Sequence, residues 1–429
     1  MTEFRMDPRG LLVRSFKAAV AAADPLVVVP PHLPPPPKGR TMVLGAGKAA
    51  AAMALAIEQA WPAHAPLAGL VVTRYGHGLL TNRIKVIEAG HPVPDATGER
   101  AASEVLKLAR NLGQDDLLIA VVSGGGSSLL TVPAEGISLA DLQAVTRKLL
   151  ACGAPIQEIN IVRKHLSGIL GGRLAAACKA PALSLVISDV TGDTPSSIAS
   201  GPCAPDESTF ADALAVLARH EIDAPAAALA LLKKGARGEV AETPKPGDRL
   251  FCRVENRVIA TSQNALQGAA GFFRNQGLAC AVLGDSVTGE ASEVAKMQAA
   301  IARQVVRYGQ PWGSPIALVS GGECTVTVRG QGRGGRCSEF LLSLGLELEG
   351  TPGAWALACD TDGIDGSEGN AGAVLSPETL SIARSHGLDP RALLANNDTW
   401  AVFNATGDLV VTGPTHTNVN DYRVILLLS

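Results

Sequence analysis

Five turns in this 429-residue sequence pair glycine with residues able to carry charge or move a proton. They are GAGKAA (45–50), SGGGSS (123–128), SDVTGDTPSS (188–197), SGGE (320–323) and CDTDGIDG (359–366), each after a short apolar run. Glycine lets a backbone come close to a ligand, and amides opening a following helix attract phosphate. Any one such turn has a purely structural explanation, because tight strand-to-helix turns favour glycine. Several together, each joined to Ser, Lys, Asp or Glu, point to a phosphate site. Gly45, Gly47, Ser123, Gly124, Gly125, Gly126, Ser127, Gly321, Gly322 and Glu323 are therefore candidate contacts to substrate or nucleotide.

Lys48 adds a cation to the first of these turns, as phosphoryl transfer requires. No turn fits GxxxxGK[ST], so a Walker A loop is excluded. GAGKAA does satisfy the dinucleotide fingerprint G-x-G-x-x-A. The next strand ends in Thr73-Arg74, with no acid to hold a ribose, although an arginine there could serve a 2′-phosphate. Reduction with NAD(P)H therefore stays open as an alternative. Asp189 and Asp193 flank Thr191-Gly192, and Asp360, Asp362 and Asp365 crowd another turn. Carboxylates gathered at strand ends suit Mg²⁺ bound through a few oxygens plus substrate phosphate. Asp189, Asp193, Asp360 and Asp362 are thus candidate metal ligands, with Asx turns the bland explanation for any single one. Ile364 at a ligand position rules out an EF-hand. GQGRGGRCSE (330–339) sets Arg333 and Arg336 in a Gly-rich turn ahead of a helix, free to converge on an anion. His91 and His165 stand in unusual settings, but hydrogen bonding explains each as well as catalysis does, and neither belongs to a triad pattern.

The elements that must position these turns alternate regularly. Apolar runs at 41–44, 69–73, 83–89, 117–123 and 182–188 are separated by helical patterns near 46–60, 98–112, 138–151 and 161–178. This predicts a doubly wound, Rossmann-like parallel sheet with right-handed crossovers. A helix over 8–23 and a stiff Pro-rich stretch at 30–37 precede it. Residues 233–250, charged and rich in Gly and Pro, read as an interdomain linker. Beyond them the alternation restarts, with strands expected at 257–261, 278–284, 315–320, 325–330, 354–359, 401–406 and the terminal VILLL. The expected architecture is two α/β/α domains, 1–240 and 241–429, with the active site in a cleft between them.

Forty-six glycines with only 3% aromatics suit parallel α/β layers. A net charge of −3 without a basic block disfavours nucleic acid as a partner. The eight cysteines are scattered, with no CxxC pair, which argues for reduced thiols. No apolar run reaches the roughly 18 residues of a membrane span, and the N-terminus does not read as a signal peptide. A cytoplasmic location is expected, with the oligomeric state open, a homodimer included.

In order along the chain, GAGKAA, AGHPVPD (89–95), VSGGGSS (122–128), VRKHLSGILGGRLA (162–175), SDVTGDTPSSIASGPCAPD (188–206), SGGECTVTVRGQGRGGR (320–336) and DTDGIDGSEGNAGAV (360–374) resemble the type II glycerate kinases, which carry a C-terminal MOFRL domain. The resemblance covers most of 40–420. It implies two α/β domains enclosing a cleft, ATP and Mg²⁺, and D-glycerate converted to phosphoglycerate, with transfer to the C2 hydroxyl. It carries Lys48 and Arg336 over as the catalytic cations and the SGGGS loop as a phosphate or substrate contact. Asp189 or Asp193 would then accept the hydroxyl proton or hold the metal, and Arg163 or the SGGGS amides would take the glycerate carboxylate. Leu170 replaces a lysine found in many relatives, and Cys337-Ser338 replaces Asn-Gln, which bears on how substrate or nucleotide is held. Part of this family, associated with tartrate breakdown, carries the name hydroxypyruvate reductase.

Overall fold

A computed structural model describes residues 7–349 and 351–428; residues 1–6, 350 and 429 of the expected domains lie outside the described residues. The chain forms two compact units, one of Pro25–Ile259, the other of the residues through Asp24 together with those from Ala260 on.

The first unit is built on a six-stranded sheet of β1 (Thr41–Ala46), β2 (Leu67–Arg74), β3 (Ile84–Ala89), β4 (Leu117–Val122), β5 (Ala182–Ile187) and β6 (Val254–Ala260). Their order is β3-β2-β1-β4-β5-β6, and the pairings from β3 through β5 are parallel. Every residue of β1, β4 and β5 is buried, as expected when helices cover both faces of a parallel sheet. This is the Rossmann-like order that the alternation predicts.

The second unit holds β7 (Ala279–Gly284), the short β8 (Gly289–Glu290), β9 (Ile316–Gly322), the short β10 (Cys324–Thr325), β11 (Ala354–Asp360), β12 (Gly372–Leu375), β13 (Leu409–Val410) and β14 (Asp421–Leu427). Its main sheet runs β13-β12-β11-β14-β9-β7. Only β7 and β9 pair in parallel there; β14 runs antiparallel to both β9 and β11. The helix Pro8–Ala21 belongs to this unit. Asp7 caps it through the Gly10 amide (3.0 Å), and Ser15 accepts from the Tyr422 hydroxyl of β14 (2.9 Å). Gly268 lets it cross the helix Ser262–Asn275 closely, since a Cβ there would lie 2.7 Å from Ala22.

Four expectations change. The run 257–261 overlaps β6 at the edge of the first sheet, so the boundary falls at 259/260 rather than 240/241, and residues 233–250 lie inside one unit instead of linking two. Residues 401–406 belong to the helix Thr399–Thr406, although their β-branched and aromatic content reads as strand. Gly407 ends this helix at φ 72°, and Val402 and Phe403 bury into the same core as Phe340. Of the 325–330 run only Thr325 is strand; beyond it, the Thr327 amide donates to Glu290 (3.0 Å) and those of Arg329 and Gly330 to Asn397 (2.7 and 3.0 Å), so side chains replace a neighbouring strand. The helix expected over 161–178 is two helices, Ile156–His165 and Arg173–Ala177, and Gly171 and Gly172 in the segment between them, at φ 60° and 81°, keep it from continuing. Among the described residues no helix is long and apolar enough to cross a membrane, and all eight cysteines are free.

Candidate active site

In the first unit the chain leaves β1 and β4 on opposite sides, and this switch point is where open α/β sheets take ligands. The two turns that follow are tied together. Gly47 N donates to Val72 O (3.1 Å), Lys48 N to Gly124 O (2.8 Å) and Ala49 N to Ser123 Oγ (3.0 Å). Gly45 (φ 149°) and Gly47 (φ 143°) are required by this fit, since a Cβ on either would run into Val121 or Ser123. Gly45, Gly47 and Ser123 therefore serve packing, where their pattern suggests ligand contact.

The Lys48 side chain, half-buried, comes forward beside Gly125. A Cβ at Gly125 would lie 3.6 Å from Lys48 Cγ and 2.8 Å from the His91 ring, so lysine and imidazole flank this glycine. The Gly124 and Gly125 amides find no acceptor among the described residues, an arrangement suited to an anion. Gly126 packs under Ala199, which a Cβ would approach to 2.6 Å. Ser127 Oγ is 2.8 Å from Ser200 Oγ, which donates to Asn160 Oδ1 (2.9 Å). Asp193 (φ 51°), Ala199 (φ 49°) and Ser200 (φ 55°) are all left-handed non-glycine residues in the loop after β5. Each such residue costs about 1–3 kcal/mol, strain that clusters at functional sites. Asp189 and Asp193 stand half-buried in this loop, and the Asp193 carboxylate takes no hydrogen bond among the described residues.

Next to Ser127 lies a pocket with hydroxyls from Ser128, Thr131, Thr146 and Ser167, walled by Leu130 and Leu170, with Arg163 on its lining. Burial pulls Arg163 down to about 10, with no carboxylate to offset it. The guanidinium remains charged at neutral pH, desolvated and without a partner among the described residues. His165, two residues on, is structural. It is fully buried, its Nδ1 2.8 Å from Ile161 O and its Nε2 3.2 Å from Glu242, and burial lowers its pKa.

In the second unit the strand register creates a problem that Arg336 solves. Asp360 and Asp421 stand directly opposite each other across β11 and β14, both buried. Like charges so placed repel. Arg336 bridges them, Nη2 to Asp360 (2.6 Å) and Nε to Asp421 (2.7 Å), while Nη1 reaches the half-exposed Glu323 at 3.2 Å. Burial disfavours this charge, but Asp421, Asp360 and Glu323 outweigh it and hold Arg336 well above its usual pKa. Arg336 opens the helix Arg336–Leu348, and Asp365 caps it, accepting from Cys337 N, Ser338 N (both 2.9 Å) and Ser338 Oγ (2.8 Å).

The other candidates of this unit divide. Arg333 turns to Trp400, its guanidinium carbon 4.0 Å from the ring centroid, and not to Arg336. Gly321 and Gly322 are buried in β9, where Cβ atoms would strike Ser262 and Val287, so their role is packing. Asp360 and Asp362 accept backbone amides of Asp362 and Ile364 (3.0 and 2.9 Å). The four proposed metal ligands fall two on each unit, and among the described residues no group of three His, Cys, Asp or Glu side chains could hold an ion. Asn160 and Ser200, which back Ser127, carried no signal in the sequence, whereas His91, weighed there between hydrogen bonding and catalysis, stands beside Gly125.

Two family profiles match the chain: the domain of unknown function DUF4147 over residues 11–233 and the MOFRL family over 316–421. A protein of Agrobacterium vitis with the provisional name hydroxypyruvate reductase is 50% identical, covering 100% of this chain and 96% of that one. Glycerate 2-kinase of Pyrococcus horikoshii is 38% identical over 91% of this chain and 88% of its own length. The crystal structure of glycerate kinase from Thermotoga maritima superposes with a TM-score of 0.86 at 36% identity, covering 98% of this chain and 99% of that one. The matched domains, the fold and the relatives agree, and the chain belongs to the type II glycerate kinase family.

Proposed function

We propose that the protein phosphorylates D-glycerate with ATP, giving 2-phosphoglycerate. The observation that carries this reading is Arg163: a desolvated cation without a carboxylate partner, on a small pocket lined by hydroxyls. A three-carbon hydroxy acid supplies the missing carboxylate to Arg163 and hydroxyls to the Ser and Thr side chains. The family and the kinase names of its relatives support the same reaction class.

The chemistry follows from what each group can do. The C2 oxygen attacks the γ-phosphorus in line, the bond from phosphorus to the bridging oxygen breaks, and ADP leaves with that bond's electrons. Lys48 and the Gly124 and Gly125 amides stabilise charge on the phosphoryl oxygens from the first unit. Arg336, the other cation that the family resemblance carries over, has Nη1 to offer an anion, since Nε and Nη2 are fixed by buried carboxylates while the Glu323 on Nη1 is half-exposed. Asp193, unpartnered, receives the hydroxyl proton. Mg²⁺ brought by the nucleotide would supply further neutralisation of phosphate charge. The donors fit an ion carried by its phosphates, which needs only one or two protein carboxylates; Asp193, whose carboxylate takes no hydrogen bond among the described residues, suits that better than Asp360 and Asp362, already bonded to amides and Arg336.

The second reading, NAD(P)H-dependent hydroxypyruvate reduction, draws on the Rossmann-like strand order and the name of the Agrobacterium relative. Against it, the Gly47, Lys48 and Ala49 amides that would grip a pyrophosphate are all bonded inside the fold. A coupled ADP-release assay with D-glycerate, beside a nicotinamide absorbance assay with hydroxypyruvate, decides between the two. NAD(P)H loss without ADP release would sink the kinase reading, and ³¹P NMR of the product reports the position of transfer. Arg163→Gln should raise KM for D-glycerate by about 10- to 100-fold with kcat little changed; an unaltered KM would remove Arg163 from the site.

A further inference from the structure

A cavity of about 280 Å³ opens beside the first turn of the Arg336 helix, within the second unit. This is close to the lower end of small-molecule pockets, roughly 300–1,000 Å³. Cys324, Val326 and Val328 form its apolar part, and Val328 is 74% exposed with nothing packed over it. Arg336, Glu339 and Asn397 form its polar part. Arg336 and Glu339, three residues apart, share one face of the helix, with Cβ atoms roughly 5–6 Å apart.

Glu339 is the unexplained group. It is only 6% exposed, yet its charge is not paired with any cation within hydrogen-bond reach. Asn397 Nδ2 donates to Oε2 (3.1 Å), and Oε1 takes no hydrogen bond among the described residues. A buried carboxylate with an open acceptor is costly unless a ligand brings a donor. The amides at the helix start cannot serve an anion, because Asp365 and the Ser338 hydroxyl already occupy those of Cys337, Ser338 and Gly335. Recognition of negative charge here falls to the Arg336 side chain alone, whose Nη1 partner Glu323 is half-exposed and can be displaced.

The cavity therefore wants a ligand with an apolar flat part, hydroxyl donors in the middle and an anion at one end. A three-carbon acid is too small, and its carboxylate would face Glu339. We propose that this cavity seats the nucleoside of ATP: the base against Cys324, Val326 and Val328, the ribose hydroxyls donating to Glu339, and the phosphates extending to Arg336. This deepens the kinase reading and rests on it.

Calorimetric titration of the full chain with Mg²⁺ and a non-hydrolysable ATP analogue, and separately with inorganic tripolyphosphate, tests it. Val328→Asp, an exposed substitution that leaves the core intact, should weaken the analogue by about tenfold or more while sparing tripolyphosphate. Glu339→Gln should do the same. Asn397 Oδ1 is held by the Arg329 and Gly330 amides, so Nδ2 would keep the glutamine oxygen and turn its NH₂, a donor, towards the ribose. Unchanged analogue affinity in Val328→Asp, with glycerate-dependent ADP release intact, would overturn the cavity assignment and leave the kinase standing. A wild type that neither binds the analogue nor releases ADP would overturn both.

Discussion

Lys48 and Arg336 carry the same charge but are held by opposite means. Lys48 rides on a backbone turn whose Gly47, Lys48 and Ala49 amides lock onto neighbouring loops. Arg336 is fixed through its guanidinium, which keeps apart two buried aspartates that the strand register sets face to face. The turn under the first cation is held through its backbone; the second cation is held through its own guanidinium. Loss of activity at the two positions therefore means different things, and only a stability measurement beside the kinetics separates them.

The largest effect should follow Arg336→Ala. It takes from the buried Asp360 and Asp421 the guanidinium they share, leaving Asp421 with Arg423 (3.0 Å), and breaking a buried pair in this way costs about 3–5 kcal/mol. Urea unfolding should show that loss together with abolished turnover. A stable Arg336→Ala protein would erase the contrast. Lys48→Ala comes next: kcat should fall by about 100-fold, with a smaller stability loss than Arg336→Ala, because backbone amides hold its turn. An unchanged kcat/KM would remove Lys48 from the chemistry, whereas a large stability loss would show that the ammonium also holds its turn.

The smallest effect is in pH. In the first unit Glu58 and Asp206 are buried and Glu242 is exposed but partly desolvated, which alone would raise all three. Backbone amides at Glu58, Lys164 and Ser208 at Asp206, and the Phe210 amide, Lys245 and His165 at Glu242 instead hold them below the usual carboxylate range. Such groups lend stability above the unfolded pKa of about 4 and lose it as pH falls through the lowered values. In the second unit burial raises Glu339 and Asp365, whose folded forms take up protons first. Their cost is present at neutral pH and relieved as pH falls through the raised values. Hydrogen-exchange protection, corrected for intrinsic rates, should therefore hold or rise in the second unit between neutral pH and about pH 4. Below that the first unit should lose protection. The reverse order would mean that other groups govern acid stability.

Much of the first unit was legible because its signals are local. Apolar runs ending in glycine turns dictate parallel strands, and their order follows from right-handed crossovers. The second unit was harder to read: residues 401–406 look like strand and fold as helix, and the antiparallel β14, which carries Asp421 to Arg336, gives no sign of its partners. Edge strand β6 was assigned to the wrong domain because pairing across some 70 residues leaves no local trace.

For the site, sequence by itself determined which residue types stand in turns and at helix ends: Lys48, the SGGGS glycines, Asp193, Arg163 and Arg336. Tertiary structure alone decided what each is free to do. Gly45, Gly47, Gly321 and Gly322 proved to be packing contacts, Arg333 turned to Trp400, and Arg336 was tied to two strands distant in sequence. Glu339, unremarkable in the chain, emerged as a buried carboxylate with an open oxygen. The physical reason is that turn chemistry is fixed by φ and ψ within a few residues, whereas desolvation and charge pairing depend on neighbours that only the folded sheet brings together.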